Sequence, residues 1–341
     1  MTTMAGGYAA EIAESARDLL DREAPRDDTL RRLRSEAYSA RIWAAAAEAG
    51  WFRLLTAESE GGLEAGAGEL AALFREVGRH LAAGPFAEAI VAGGLLRSSA
   101  ELGPDTNVIT FGGLRGTAGP RTATGSAGAV EHADDAHLLL LAADVEGGRA
   151  VIAVDPRDER VGVERLAAVD LAGRPCRVEL RQASFEVVAA GEAAARLLER
   201  ADALLAVAGA ATLAGIAREL VEMTVQYAKD RVQFERPIGS FQAVQHRLAE
   251  MAVTTAGIES AVEAAIVATE AGAPGEAAAL WALAAEMTRD VAQSALQVHG
   301  GIGFTDEHRL HAYLKRTLRL QAAAAEGDAL ARQGARLLGP S

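Results

Sequence analysis

Apolar residues recur at spacings of three and four through most of the chain, the pattern of helices that bury one face. Segments 9–22, 29–49, 69–81 and 85–97 show it first, punctuated by Gly50, Gly61, Gly62 and Gly84, and the last opens on Pro85. Between 101 and 187 the texture changes. Six glycines crowd 112–128, the apolar pieces shrink to 108–111, 138–141 and 151–154, and Cys176, Val178 and Leu180 alternate with Arg177, Glu179 and Arg181. Such period-two alternation predicts a half-buried strand, so this stretch is expected to be a small β domain. From 189 onward helix returns. Leu213, Ile216, Leu220, Met223 and Tyr227 form one seam, Val244, Leu248, Met251, Thr255, Ile258 and Val262 a second, and further segments run over about 275–298 and after Asp306. Long periodic segments without internal caps favour an antiparallel bundle. The expected fold is mainly α with a small central β domain: an N-terminal helical domain over 1–104, a middle β domain over 105–187 and a C-terminal four-helix bundle over 188–341.

Composition supports this picture and narrows the chemistry. Only 4% of the 341 residues are aromatic while alanine and leucine dominate, which favours helix. The chain carries 34 basic and 47 acidic residues, a net charge of −13. No surplus of cations is available to track a phosphate backbone, so a nucleic-acid partner is not expected. Cys176 is the only cysteine, which rules out an intrachain disulfide and a cysteine-based metal cluster and fits a reducing compartment. Glu11 and Glu14 fall where a signal peptide would carry an uninterrupted apolar region. The uncharged run over 203–217, between Asp202 and Arg218, is shorter than the ~20 residues a membrane-spanning helix needs. A cytoplasmic protein without a membrane span is expected.

Two stretches carry candidate chemistry. The first, Tyr227 to Met251, reads YAKDRVQFERPIGSFQAVQHRLAEM. A helix is expected to end near Phe234, Pro237-Ile238-Gly239 to turn the chain, and Ser240 to cap the next helix, which puts Arg231 in the last helical turn. A guanidinium there, with Gln233 and Phe234 beside it, could grip a diphosphate by paired hydrogen bonds while the ring packs on an adenine or ribose. Arg231 could equally do no more than complement the helix dipole, with Phe234 in the core. The second stretch, Gln297 to Phe304, reads QVHGGIGF. Gly300 and Gly301 let the backbone turn left-handed and leave it free of side chains, so a ligand can approach the peptide, with Gln297 and His299 offering hydrogen bonds. An ordinary glycine cap with two polar neighbours is the alternative. His299 has no second ligand at metal spacing, so no metal site is expected.

Taken together these stretches resemble the acyl-CoA dehydrogenase family, whose C-terminal bundle carries R-x-Q-F-x-x-P-I-G-x-F-Q-x-x-Q-H and later Q-x-H-G-G-x-G-F. AEAGWFRLLTAESEGG over 47–62 and LFREVGRHLAAGP over 73–85 look like the family's helical domain, and the α, β, α order is the family's order. The resemblance implies a flavoenzyme that uses FAD to desaturate acyl-CoA thioesters at the α,β position and passes electrons to an electron-transfer flavoprotein. It implies that Arg231, Gln233, Phe234, Gln297, His299, Gly300 and Gly301 contact FAD, reaching across a subunit interface. Glu235 stands where many members have glycine.

The pattern departs from the family in two places. The family's catalytic carboxylate falls, by counting from His299, at Ala324, and at its alternative place, by counting from Arg231, at Leu205. Glu326 arrives two residues late and is either a base rescued by an insertion or a solvated helix-end glutamate; Asp202, one turn from Leu205, reads as a surface carboxylate. No tryptophan lies between 101 and 187, although members line the flavin ring there, and RTATGS over 121–126 supplies hydroxyls only. A chain that keeps the dinucleotide contacts but lacks base and ring pocket resembles the short subunit of heteromeric actinobacterial acyl-CoA dehydrogenases of the steroid side-chain type. Its larger homologous partner, in an α2β2 assembly, would supply the base. The alternatives are a self-sufficient homomeric enzyme with Glu326 as base, and a non-catalytic assembly subunit that retains the fold.

Overall fold

The computed structural model describes residues 8–35, 40–96, 109–119, 121–145 and 148–325. The fold is mainly α with one large β-sheet. Five helices come first: α1 (Ala9–Glu23), α2 (Thr29–Ser35), α3 (Ala40–Glu48), α4 (Ala67–His80) and α5 (Phe86–Leu95). Eight strands follow, β1 (Ile109–Gly113), β2 (Arg115–Ala118), β3 (Thr122–Glu131), β4 (Leu138–Val145), β5 (Gly148–Val154), β6 (Val161–Arg165), β7 (Pro175–Ser184) and β8 (Glu186–Ala190). The long helices α6 (Glu192–Asp230), α7 (Gln242–Glu270), α8 (Pro274–His299) and α9 (Leu310–Ala325) complete the order.

Packing gathers the chain into two compact units, one of residues 1–36, 66–82 and 206–341, the other of 37–65 and 83–205. The grouping follows contacts rather than sequence texture: α4 joins the C-terminal helices, whereas α3 and α5 join the sheet. In the sheet the strands run β6-β7-β3-β2-β4-β5-β8, with β1 parallel to β4. Inward residues of β3, β4, β5 and β7, among them Val130, Leu139, Leu141, Ile152, Cys176, Val178 and Leu180, form its core, and Trp43 packs against them. Burial along β7 alternates as its sequence predicts and slips once, where Gln182 takes φ +58° in a bulge and its N–H donates to Thr124 Oγ1 at 3.1 Å.

In the helical unit, glycines decide how closely α4 and α6 cross. A β-carbon on Gly78 would lie 2.0 Å from the Thr212 carbonyl oxygen, and one on Gly215 2.0 Å from that of Arg75. Leu213, Ile216, Leu220 and Met223 are buried along α6 as expected. On α7 the seam is buried at Met251, Ile258 and Val262, whereas Val244, Leu248 and Thr255 are half-buried. Both α6 and α7 are long and apolar enough by composition to cross a membrane, but 78% of the apolar window of α6 is buried inside the protein, as in a core helix; for α7 the share is 39%.

Candidate nucleotide-binding corners

α6 ends at Asp230, four residues before the expected place, so Arg231 follows the helix instead of sitting in its last turn. Pro237, which lacks an N–H and disfavours helical backbone at Arg236, bars the helix from running on through this stretch, and Phe234 and Glu235 are left-handed. The chain reverses instead in a small hairpin, β9 (Val232–Gln233) paired with β10 (Arg236–Pro237), closed by the Ile238 N–H donating to the Arg231 carbonyl at 2.8 Å. Its two-residue loop is Phe234 (φ +51°) and Glu235 (φ +64°), the left-handed pair of a type I′ turn. Each such residue costs roughly 1–2 kcal/mol unless it is glycine, which is the physical reason glycine suits position 235. Ser240 does not cap α7: Phe241 holds that position, and Ser240 Oγ donates to the Pro237 carbonyl at 2.8 Å.

The hairpin projects its side chains. Phe234 is 87% exposed, not core, and meets Phe241 edge-on at 6.2 Å. Arg236 lays its guanidinium over the Phe241 ring, 4.1 Å from the centroid, and so stiffens the base of the turn. Arg231 is exposed, and among the described residues no carboxylate pairs with it; the Gln233 amide is exposed as well.

The second corner lies beside the first. Gly300 takes φ +61° at the end of α8, and neither Gly300 nor Gly301 has any atom within 4 Å of where a β-carbon would stand, so the peptide there is open. Gln297 and Gly301 are exposed. Tyr227, one turn before Arg231, joins the corners: its hydroxyl donates to the His299 carbonyl at 3.3 Å, and the two rings stack at 4.4 Å. His299 itself is not a surface donor. Its ring is buried, Nδ1 lies 2.8 Å from the Ala295 carbonyl, and Nε2 is enclosed without a partner. Burial pushes this imidazole below its ordinary pKa, against the opposing hydrogen bond to Ala295.

His308, which the sequence pattern did not single out, tilts against His299 at 4.8 Å. Burial, helped by His299, Arg309 and His311, pushes its imidazole down to about 4. The unfolded chain then takes up a proton near the ordinary histidine value, ~6.5, that the folded chain refuses until about pH 4. Stability should therefore fall as pH drops from 7 to 4, by about 2 kcal/mol once solvent screening of a half-buried ring is taken off the full shift, and His308→Gln should flatten that slope in urea-unfolding midpoints measured across the range. Arg309, next in sequence, anchors this loop. Its Nη2 lies 3.0 Å from Oε1 of Glu219, whose carboxylate is 2% exposed and also meets Arg26 Nη1 at 2.7 Å and Arg79 Nη2 at 3.8 Å. Arg26, Glu219 and Arg309 border an open cleft of about 390 Å³. Among the described residues no cluster of metal-ligating side chains converges.

A catalytic carboxylate is not found at either expected place. Leu205 is half-buried on α6 and Ala324 is buried in the last turn of α9; Glu326 lies outside the described residues. Asp202 is exposed along α6, where nearby protein partly strips its carboxyl of water and, with Glu199 adding, raises its pKa over the opposing pull of Arg149.

The chain matches two family models, the acyl-CoA dehydrogenase N-terminal domain over 9–101 and the acyl-CoA dehydrogenase C-terminal domain over 204–328. It is 34% identical over 288 residues to acyl-CoA dehydrogenase FadE34 of Mycobacterium tuberculosis; this match takes in 81% of the chain but only 39% of that relative's length. It is 30% identical over 317 residues to acyl-CoA dehydrogenase FadE27 of the same organism, covering 82% of each. Among solved structures, a chain of the ChsE4-ChsE5 complex from Mycobacterium tuberculosis superposes with a TM-score of 0.87 at 27% identity, over 100% of this chain and 99% of that one. With its fold, its paired corners and relatives that align along most of its length, the chain belongs to the acyl-CoA dehydrogenase family.

Proposed function

We propose that this chain is the short, FAD-contacting subunit of a heteromeric acyl-CoA dehydrogenase whose larger homologous partner supplies the catalytic base. The observation that carries the proposal is the pair of corners held together by Tyr227 and His299. They leave an unpaired guanidinium, an exposed amide and open peptide on one surface, a donor set that suits an anionic dinucleotide. Arg231 would fork onto the diphosphate, Gln233 and Gln297 donate beside it, Phe234 offers a flat apolar face, and Gly300 and Gly301 admit close approach. His299 supports the turn from beneath, through its stack on Tyr227. When bound, FAD supplies a hydride acceptor for α,β-desaturation of an acyl-CoA thioester. This chain's own residues hold and orient the nucleotide and exclude water from it. With Leu205 and Ala324 at the two expected base positions, the α-proton passes to a carboxylate of the partner.

A chain similar to this one is solved as part of a complex of two differently named polypeptides, which favours the heteromer. An α2β2 assembly, an electron-transfer flavoprotein as acceptor, a cytoplasmic location and domain boundaries near 104 and 187 complete the proposal. Co-purified with its larger partner, the wild-type chain should carry FAD, and Arg231→Ala should weaken FAD retention about tenfold, read as flavin absorbance per mole of protein through successive desalting steps. Undiminished flavin in that variant would remove Arg231 from the site. A lone wild-type chain that is yellow and fully active on acyl-CoA would sink the heteromeric assignment.

A further inference from the structure

Glu235, at the tip of the β9–β10 hairpin, has no task in holding a nucleotide. Its φ of +64° places a side chain where the turn favours glycine, directly after Phe234 at φ +51°. Strained non-glycine residues persist where their surroundings fix them or their role requires them. The surroundings of Glu235 do not fix it: the side chain is exposed and makes no hydrogen bond or ion pair with the described residues. Its charge is also out of keeping with its neighbours. It lies two residues from Gln233 and four from Arg231, the donors assigned above to a diphosphate, and a carboxylate brought up to that anion is repelled unless a cation stands between them. Arg236, the adjacent cation, is committed to the Phe241 ring.

We propose that Glu235 is a partner-selecting residue, whose carboxylate pairs on docking with a lysine or arginine of the larger partner subunit, next to the nucleotide that Phe234 covers. The occupant is the larger partner rather than a second copy, because the corners beside Glu235 are assigned above to a nucleotide shared with that partner, and a chain similar to this one is solved together with a different polypeptide. An acidic hairpin tip attracts a partner surface that presents a cation and rejects one that lacks it, which is how charge confers partner choice. The inference rests on the heteromeric assignment and goes further by naming the charge the companion must present.

The test compares wild type with Glu235→Gly, Glu235→Gln and Glu235→Lys in two measurements. One is the thermal midpoint of the lone chain. The other is its affinity for the larger partner subunit with which it co-purifies, at about 50 mM and about 500 mM salt. Glu235→Gly should raise the midpoint, because it relieves the left-handed strain, and yet weaken the complex about tenfold. Glu235→Gln should weaken it similarly with the midpoint unchanged, Glu235→Lys should weaken it about a hundredfold, and the wild-type advantage should shrink at high salt. A wild-type complex that the Gly and Gln variants leave equally tight overturns the role of Glu235 alone. No wild-type complex at all overturns both that role and the heteromeric assignment.

Discussion

Gly215→Ala and Gly78→Ala should each unfold the helical unit or leave it several kcal/mol less stable. The new β-carbon would sit 2.0 Å from a backbone carbonyl oxygen in either case, Arg75 for position 215 and Thr212 for position 78. Backbone cannot swing aside as a side chain can. Relief requires α4 and α6 to part by more than ~1 Å, and a close-packed interior resists that. The expected loss is about 3 kcal/mol or more, at the upper end for overpacking, because separating the helices also strains the Arg75 ion pairs to Glu259 and Glu263, at 2.8 and 2.7 Å. Gly68, also on α4, is the control. Nothing lies within 4 Å of its missing β-carbon, so Gly68→Ala should be neutral or stabilise by up to about 1 kcal/mol. Urea-unfolding midpoints with helical circular dichroism distinguish the three variants, and equal midpoints would show that the crossing is looser than its geometry.

Glu219→Ala should cost about 3–5 kcal/mol, the penalty for breaking a buried ion pair from one side. Its carboxylate is the shared counter-charge of Arg26, Arg79 and Arg309, which come from the segment after α1, from α4 and from the loop before α9. Removing it leaves three guanidiniums crowded around an enclosed void. Arg79 retains Glu222 at 2.5 Å, and Arg26 can turn toward water, but the side-chain surface of Arg79 is only 12% exposed. Glu219→Gln keeps the shape and loses the charge, so it should fall between wild type and Glu219→Ala. The loop that carries Arg309 also carries His308, which packs against His299, so loosening should spread to the 299–301 corner. Chemical unfolding gives the magnitude, and amide exchange across 300–309 locates it. A Glu219→Ala loss below about 1 kcal/mol would mean that the arginines find solvent without it.

Helical and strand periodicity was enough to locate the elements, because buried seams such as Leu213-Ile216-Leu220 and the β7 alternation leave a direct imprint on residue order. It was not enough to end them correctly at Phe234. Hydrophobic spacing there continues smoothly, while the reversal depends on one missing N–H at Pro237 and on two positive φ angles in residues that rarely adopt them. Grouping into compact units was likewise hidden, since the close α4–α6 crossing depends on Gly78 and Gly215, 137 positions apart and unmarked by any local pattern. Of the candidate site, both corners were legible as motifs, and their adjacency was not, because it runs through the stack of Tyr227 on His299. His299 was misjudged as an outward donor: a histidine in a polar, glycine-rich stretch gives no sign that its ring folds back under the turn.

The interleaving of the two units bears on how the chain is made. α1 and α4 leave the ribosome early, with Leu19 and Leu20 on one and Leu70, Leu73 and Phe74 on the other meant for the interior, yet α6 and α7, which close the same unit, are synthesised more than a hundred residues later. The sheet, whose strands are nearly contiguous, is synthesised in that interval, its last strand ending at Ala190 just before α6 begins. During that interval the early helices lack the partners that bury their apolar faces, which exposes the nascent polypeptide to clumping until the late helices dock. No contiguous fragment contains the whole helical unit without also containing the sheet, so this protein offers no natural place at which to be cut in two.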